Sequence, residues 1–230
     1  NATEDDSVGT VTVTTSGAEN GQTVTITLNG QSHTNTVTGN TSVVQIPAVR
    51  LQALTNGASY TLTADVSDAA GNAASQVTSS AFSVDTGLPI VNSVTATNVN
   101  GAYNSGDQIT VQVVFSEAVN VTGTPTLTLD TGGSGDVVNY STGSGSQYLD
   151  FVYTVGAGDT SSDLDYVATS SLALAGSATI KDAAGNNATL TLVTPGAANS
   201  LADSKNLVID TTVPTITGTT VNTANSQISV

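Results

Sequence analysis

A chain of 230 residues with 18 Asp and Glu against 3 Lys and Arg carries a net charge of −15, although only 9% of its residues are charged. Such a surface repels nucleic acid and anionic lipid, both of which need basic contacts, and the lack of cysteine excludes disulfides, zinc–thiolate sites and thiol catalysis. A hydrophobic fraction of 38%, arranged in alternating Val/Thr/Ile/Leu runs, argues against the disorder expected of an acidic, aromatic-poor chain. No apolar run approaches the roughly 18 residues of a membrane span. The opening NATEDD has neither an initiator Met nor a basic leader, so the sequence reads as a piece cut from a longer exported protein.

Period-two alternation dominates from the start. GTVTVTT (9–15), QTVTITLNG (22–30), SHTNTVT (32–38) and TSVVQI (41–46) read as strands. PAVRLQALTNG (47–57) allows a single helical turn; SYTLTADVS (59–67) and ASQVTSSAFSV (74–84) are strands again. A second block repeats the plan with longer parts: PIVNSVTAT (89–97), QITVQVVF (108–115), TPTLTL (124–129), DVVNYS (136–141) and QYLDFVYTV (147–155). LDYVA to ATIKD (164–182) and NATLTLV to NLVID (187–210) complete it. Many short strands at regular spacing predict an all-β chain of tandem immunoglobulin-like or cadherin-like β-sandwiches joined end to end. Boundaries are expected at 1–85 and 86–213, with 214–230 left over.

Two echoes support the tandem reading. DAAGN occurs at 68–72 and at 182–186, and SVDTGLPIV (83–91) is matched by VIDTTVPTI (208–216). Tyr60 and Tyr166 open equivalent strands, either as tyrosine corners or as ordinary core aromatics. The first block lacks the Pro-led opening strand of the second, whereas PTITGTTVNTANSQISV (214–230) looks like a surplus copy of it. Either that tail completes the first domain of another molecule, head to tail, or the fragment simply has a ragged edge.

In a sandwich with this strand order the acidic residues collect in loops at the two poles. Glu117 in the loop FSEAV, Asp182 in DAAGN and the linker residue Asp85 are expected to meet at the junction, with Glu4, Asp5 and Asp6 at a corner of the first block. Glu19 and Asp68 form the equivalent pair at the other end of that block. Asp107, Asp163, Asp165 and Asp210 gather at the far pole of the second. Grouped carboxylates repel one another unless a cation neutralises them, and Ca²⁺ takes about 6–8 oxygens from such groups. One histidine, His33, placed on an outward strand face, leaves little for a transition metal. DAAGN also has a purely structural reading, as an Asp-initiated turn closed by Gly-Asn. No G-x-S-x-G turn is present, and the acids lack sugar-stacking aromatics around them, so no enzymatic activity is expected. Tyr140, Tyr148 and Tyr153 could offer a binding face on the middle hairpin, or serve the core.

The run NGQTVTITLNGQSHTNTV followed by SYTLTADVSDAAGNAAS…FSVDTGLP resembles the bacterial Ig-like repeats of giant repeats-in-toxin adhesins. GAYNSGDQITVQVVFSEAVNVTGTPTLTL, YLDFVYTVGAGDTSSDLDYV and ATIKDAAGNNATLTL together resemble a cadherin-like repeat of the same surface proteins. This resemblance implies an extracellular stalk on the bacterial cell surface, rigidified by Ca²⁺ and flanked by neighbouring repeats, with a distal adhesive tip. The positions matching its ligands are Asp85, Glu117, Asp163, Asp165, Asp182 and Asp210. The first block departs from the pattern in its missing strand and in its neutral loop RLQALTNGAS. Direct glycan or protein binding by one sandwich, and polymerisation through the tail, are the competing readings.

Overall fold

A computed structural model describes residues 7–219 of the chain. It is β-rich and divides into two compact units: Asn1–Pro89 with Lys181–Ala188, and Ile90–Ile180 with the residues from Thr189 onward. Among the described residues no helix is long and apolar enough to cross a membrane.

The first unit runs β1 (Gly9–Thr14), β2 (Thr23–Leu28), β3 (Gln31–Thr36), β4 (Thr41–Ile46), α1 (Ala48–Gln52), β5 (Ser59–Tyr60), β6 (Leu62–Val66), β7 (Val77–Thr78) and β8 (Phe82–Ser83). Its sheets are β3-β2-β6-β7, β1-β4 and β5-β8, all antiparallel. Alternation on β2 sends Val24, Ile26 and Leu28 inward. There Val24 and Ile26 pack with Val37 and Val44, and Leu28 with Ile46 and Leu54, in two buried clusters that share Val11 and Leu62 at their margins. Asn29 (φ 48°) and Gly30 (φ 72°) close the β2–β3 hairpin, the pair of left-handed residues that a two-residue turn demands.

Three local expectations are corrected or sharpened here. The strand foreseen over 74–84 is broken, because Ser79 Oγ accepts from Leu62 N while Ser79 N donates to Leu62 O, so β7 pairs with β6 and β8 with β5. His33 does not face outward: it stands opposite Ile26, on the inward face of the edge strand β3, and its Nε2 is buried without a hydrogen-bond partner. Tyr60 has the corner geometry, its hydroxyl accepting from Thr55 N at 2.9 Å, five residues upstream.

The second unit contains β9 (Val91–Ala96), β10 (Gly101–Tyr103), β11 (Gln108–Thr122), β12 (Thr126–Leu129), β13 (Asp136–Thr142), β14 (Ser146–Thr154), β15 (Thr160–Ser161), β16 (Leu172–Ala173), β17 (Thr179–Lys181), α2 (Leu201–Ser204) and β18 (Leu207–Asp210). The main sheet has the order β16-β12-β13-β14-β11-β17, with β9 also on β11; β10-β18-β15 forms a smaller sheet in which β10 and β18 are parallel. Inward residues of the long strands, among them Val111, Val113, Leu149 and Phe151, are fully buried.

The expected strand NATLTLV does not form a ladder. Thr189 makes an isolated bridge to Ile90; beyond it Leu192 N bonds to Thr169 O, Tyr166 Oη donates to Val193 O at 2.6 Å, and Gly196 N donates to Asp165 Oδ2. Tyr166 therefore fastens a segment downstream and is no tyrosine corner. Burial, with the charge of Asp165 adding to it, pushes the Tyr166 phenol up to about 12.

Candidate functional site

The repeated pentapeptide builds the same turn twice. Asp68 Oδ1 accepts from Asn72 N and Oδ2 from Asn72 Nδ2, both at 2.8 Å. Asp182 does the same with Asn186, at 2.8 and 2.7 Å. Each Asp N–H also bonds to the Asn carbonyl, and each glycine N–H to the Asp carbonyl. Closing so tight a loop places the glycine at positive φ, +88° at Gly71 and +93° at Gly185, where a side chain would be strained. The Asp–Asn pair is thus a clamp made wholly within five residues.

The clamp in 68–72 also receives Glu19, whose Oε2 accepts from Ala69 N at 2.9 Å. Two N–H donors favour the ionised form, so the Asn72 side chain first, and its backbone second, hold the Asp68 carboxyl below the ordinary 3.8. A depressed folded-state pKa contributes stability above pH 3.8 that is lost as pH falls through the lower folded value. A carboxyl-carbon NMR titration is expected to find the Asp68 midpoint below 3.8, moving up towards it in Asn72→Ala. An unshifted midpoint in the unsubstituted protein would contradict the clamp.

The linker echo is structural too. Asp85 Oδ1 accepts from Gly87 N, and Asp210 Oδ1 from Thr212 N, each at 2.9 Å; these are Asp-headed turns two residues long. Thr86 N donates to Asn56 Oδ1, tying the start of the linker to the first unit. Within that unit Asn186 Nδ2, besides clamping Asp182, donates to the backbone oxygen of Asp85 at 3.2 Å. A carboxylate oxygen of Asp85 and one of Asp182 lie within 4.8 Å of each other. Asp85 is exposed, whereas Asp182 is only 4% accessible.

The remaining predicted acids are placed as follows. Glu117 is not in a loop: it lies inside β11, half-buried, where the register with β14 slips between Val114 and Val119. The strand runs on to Thr122 because β11 finds new partners after this bulge. Asp107 Oδ2 accepts from Asn104 N, and Asp163 Oδ1 from Leu207 N. Asp165, 8% accessible, accepts from Tyr166 N and Gly196 N. Among the described residues no three of Asp107, Asp163, Asp165 and Asp210 bring carboxylate oxygens within 4.8 Å of one another. Glu4, Asp5 and Asp6 lie outside the described residues.

Two participants were not singled out from sequence. Asn186 is one, and its signal was its place at the end of both pentapeptides. Asp159 is the other: its Oδ2 accepts from Tyr153 Oη and from Gly156 N, both at 2.6 Å. Burial, then this carboxylate, push the Tyr153 phenol well above its ordinary value. Of the three tyrosines of the middle hairpin, Tyr140 and Tyr153 lie on the inward face with Phe151, and Tyr148 on the outward one. Tyr153 points into the core, Tyr140 packs edge-on against Phe151, and Tyr148, 43% accessible, points out.

No protein-family model matches the chain, and no curated protein does. Among solved structures, an adhesin described as Ca²⁺-stabilised, with which an Antarctic bacterium reaches out and binds ice, is similar at 23% identity over 93% of this chain and 46% of its own, with a TM-score of 0.43. A structure from a 1.5-MDa bacterial ice-binding adhesin, concerned with its retention at the host cell surface, is similar at 23% identity over 92% of this chain and 60% of its own, with a TM-score of 0.46. The chain spans about half the length of these solved chains.

Proposed function

We propose that this chain is a non-catalytic extender segment of a bacterial cell-surface adhesin: immunoglobulin-like and cadherin-like sandwiches in series, stiffened by Ca²⁺ where they join. The observation that carries the reading is the approach of Asp85 and Asp182 within 4.8 Å, with the same Asn186 amide bonded to both residues. Two carboxylates so close repel each other until a cation neutralises them. The donors are hard oxygens: the Asp85 and Asp182 carboxylates and the carbonyls of the turn, with Glu117 proposed as the third carboxylate. That chemistry fits Ca²⁺ and offers nothing soft to a transition metal. Each oxygen of Asp182 already accepts one N–H and keeps a second lone pair for a metal.

An ion shared by the linker and the DAAGN turn would restrict bending of the linker. Calorimetric titration with CaCl₂ tests this directly. Binding is expected with a Kd of roughly 10⁻⁴–10⁻³ M, the range of extracellular modules, and is expected to vanish in Asp182→Ala. Absence of binding heat in the unsubstituted chain at millimolar calcium would end the reading. The alternative of a glycan-binding face gains little from these tyrosines, because Tyr140 and Tyr153 belong to the inward face and Tyr148 alone of the three is exposed.

A further inference from the structure

We propose that Asn29 is a site of spontaneous covalent modification, where the carboxamide is lost through a cyclic imide and the β2–β3 hairpin acquires an aspartate or an isoaspartyl linkage. The chain contains four Asn-Gly pairs, at 20–21, 29–30, 56–57 and 100–101. In this dipeptide the glycine nitrogen can attack the carboxamide carbon, because glycine has no side chain to obstruct the approach. As sequences the four pairs are equivalent. The fold separates them.

Three of the pairs are locked at both reacting groups. Asn20 Oδ1 accepts from Gly39 N, and Gly21 N donates to Val37 O. Asn56 Oδ1 accepts from Thr86 N, and Gly57 N donates to Val84 O. Asn100 Oδ1 accepts from Asn206 N, and Gly101 N donates to Asn206 O. Ring closure at any of these must break a bond at the electrophile and another at the nucleophile. At 29–30 both residues are exposed, and among the described residues neither the Asn29 carboxamide nor the Gly30 N–H has a hydrogen-bond partner. Asn29 also stands at φ 48°, in the left-handed region that disfavours an L side chain, so the turn resists its own opening weakly.

The reaction needs water and nothing else. A bond forms between Gly30 N and Asn29 Cγ, the Cγ–Nδ2 bond breaks, and the Gly30 proton leaves with the amide nitrogen as ammonia. Water then opens the imide. Attack at Cγ returns the original main chain with aspartate at position 29. Attack at the α-carbonyl carbon leaves Gly30 joined through Cγ, an isoaspartyl linkage with one extra carbon in the main chain. Asp-Gly suits the same turn as Asn-Gly, so the first product adds only a charge. The second lengthens a two-residue loop whose closure sets Leu28 opposite Gln31. Among the described residues β2 is the only sheet neighbour of the edge strand β3, so a loosened turn loosens that strand.

Peptide mapping by mass spectrometry, after incubation of the full chain at mildly alkaline pH in water labelled with heavy oxygen, reads the conversion at each asparagine. In the folded protein Asn29 is expected to convert roughly tenfold faster than the other three, because each hydrogen bond that must break suppresses the reactive conformer about two- to tenfold. In urea, where those bonds are gone, the four rates should converge. Another Asn-Gly pair converting first in the folded protein overturns the proposal. So does an unchanged spread of rates in urea, or an intact Asn29 in the folded chain after the unfolded chain has converted. On the aged protein, hydrogen exchange over Gln31–Thr36 should be faster than in Asn29→Asp, which has the charge without the extra carbon; equal exchange would refute the loosening of β3.

Discussion

Transfer from about 10 mM calcium into EDTA is expected to lower the melting temperature by roughly 5–15 °C. With a Kd of about 10⁻⁴ M, that calcium is some hundredfold in excess and stabilises the folded state by about 2.7 kcal/mol. For units of this size each kcal/mol moves the midpoint by several degrees. Magnesium should do less, because it demands octahedral geometry and parts reluctantly with its water. Two substitutions separate ion binding from turn closure. Asp182→Ala is expected to lower the midpoint in EDTA, because the Asn186 N–H groups lose their acceptor, and also to erase the calcium-dependent shift. Asp68→Ala breaks the sister clamp and should lower the midpoint while leaving that shift intact. Superimposable melting curves in calcium and in EDTA would remove the ion from the account.

The second large effect belongs to the core of the second unit. Phe151→Ala is expected to destabilise by about 3–5 kcal/mol in urea unfolding, the usual cost of emptying a buried phenylalanine site. Phe151 is 0% accessible, lies opposite Val111 on β11, and meets the Tyr140 ring edge-on at 6.2 Å. Three residues earlier on the same strand, Tyr148 faces solvent at 43% accessibility. Tyr148→Ala should therefore stay within about 0.5 kcal/mol of the unsubstituted protein. Equal losses from both would mean that the inward and outward faces of β14 have been misassigned.

These assignments rest on a signal only partly legible in the sequence. Strict alternation in TVTITL places Val24, Ile26 and Leu28 on one face without any coordinates, because successive side chains of a strand point to opposite faces; in TSVVQI and QYLDFVYT adjacent apolar residues leave the choice of inward face to the structure. The turn of DAAGN was equally legible, since Asp, Gly and Asn each have a local reason to be there. What escaped has physical causes. ATLTLV alternates like a strand, but its hydrogen bonds go to Thr169 and Tyr166, partners that no periodicity encodes. The helix α2 did carry a signal. Ser200 Oγ accepts from Asp203 N, the N-cap bond that Ser-x-x-Asp announces, while Asp203 Oδ2 accepts from Asn199 N, one residue before the cap. Glu117 was assigned to a loop because Ser-Glu interrupts the apolar run; the bulge that keeps it within β11 depends on the partner strand. His33 was turned the wrong way because an edge strand tolerates polar residues on its inner face, and composition cannot tell edge from centre.

The Asp–Asn clamp has one more consequence. Because Asp182 and Asn186 hold each other, the loop has its final shape before any ligand arrives. Capture of the proposed ion would then be limited by the stripping of its hydration shell, not by folding of the loop. A receptor already in its bound shape has no ordering entropy left to lose.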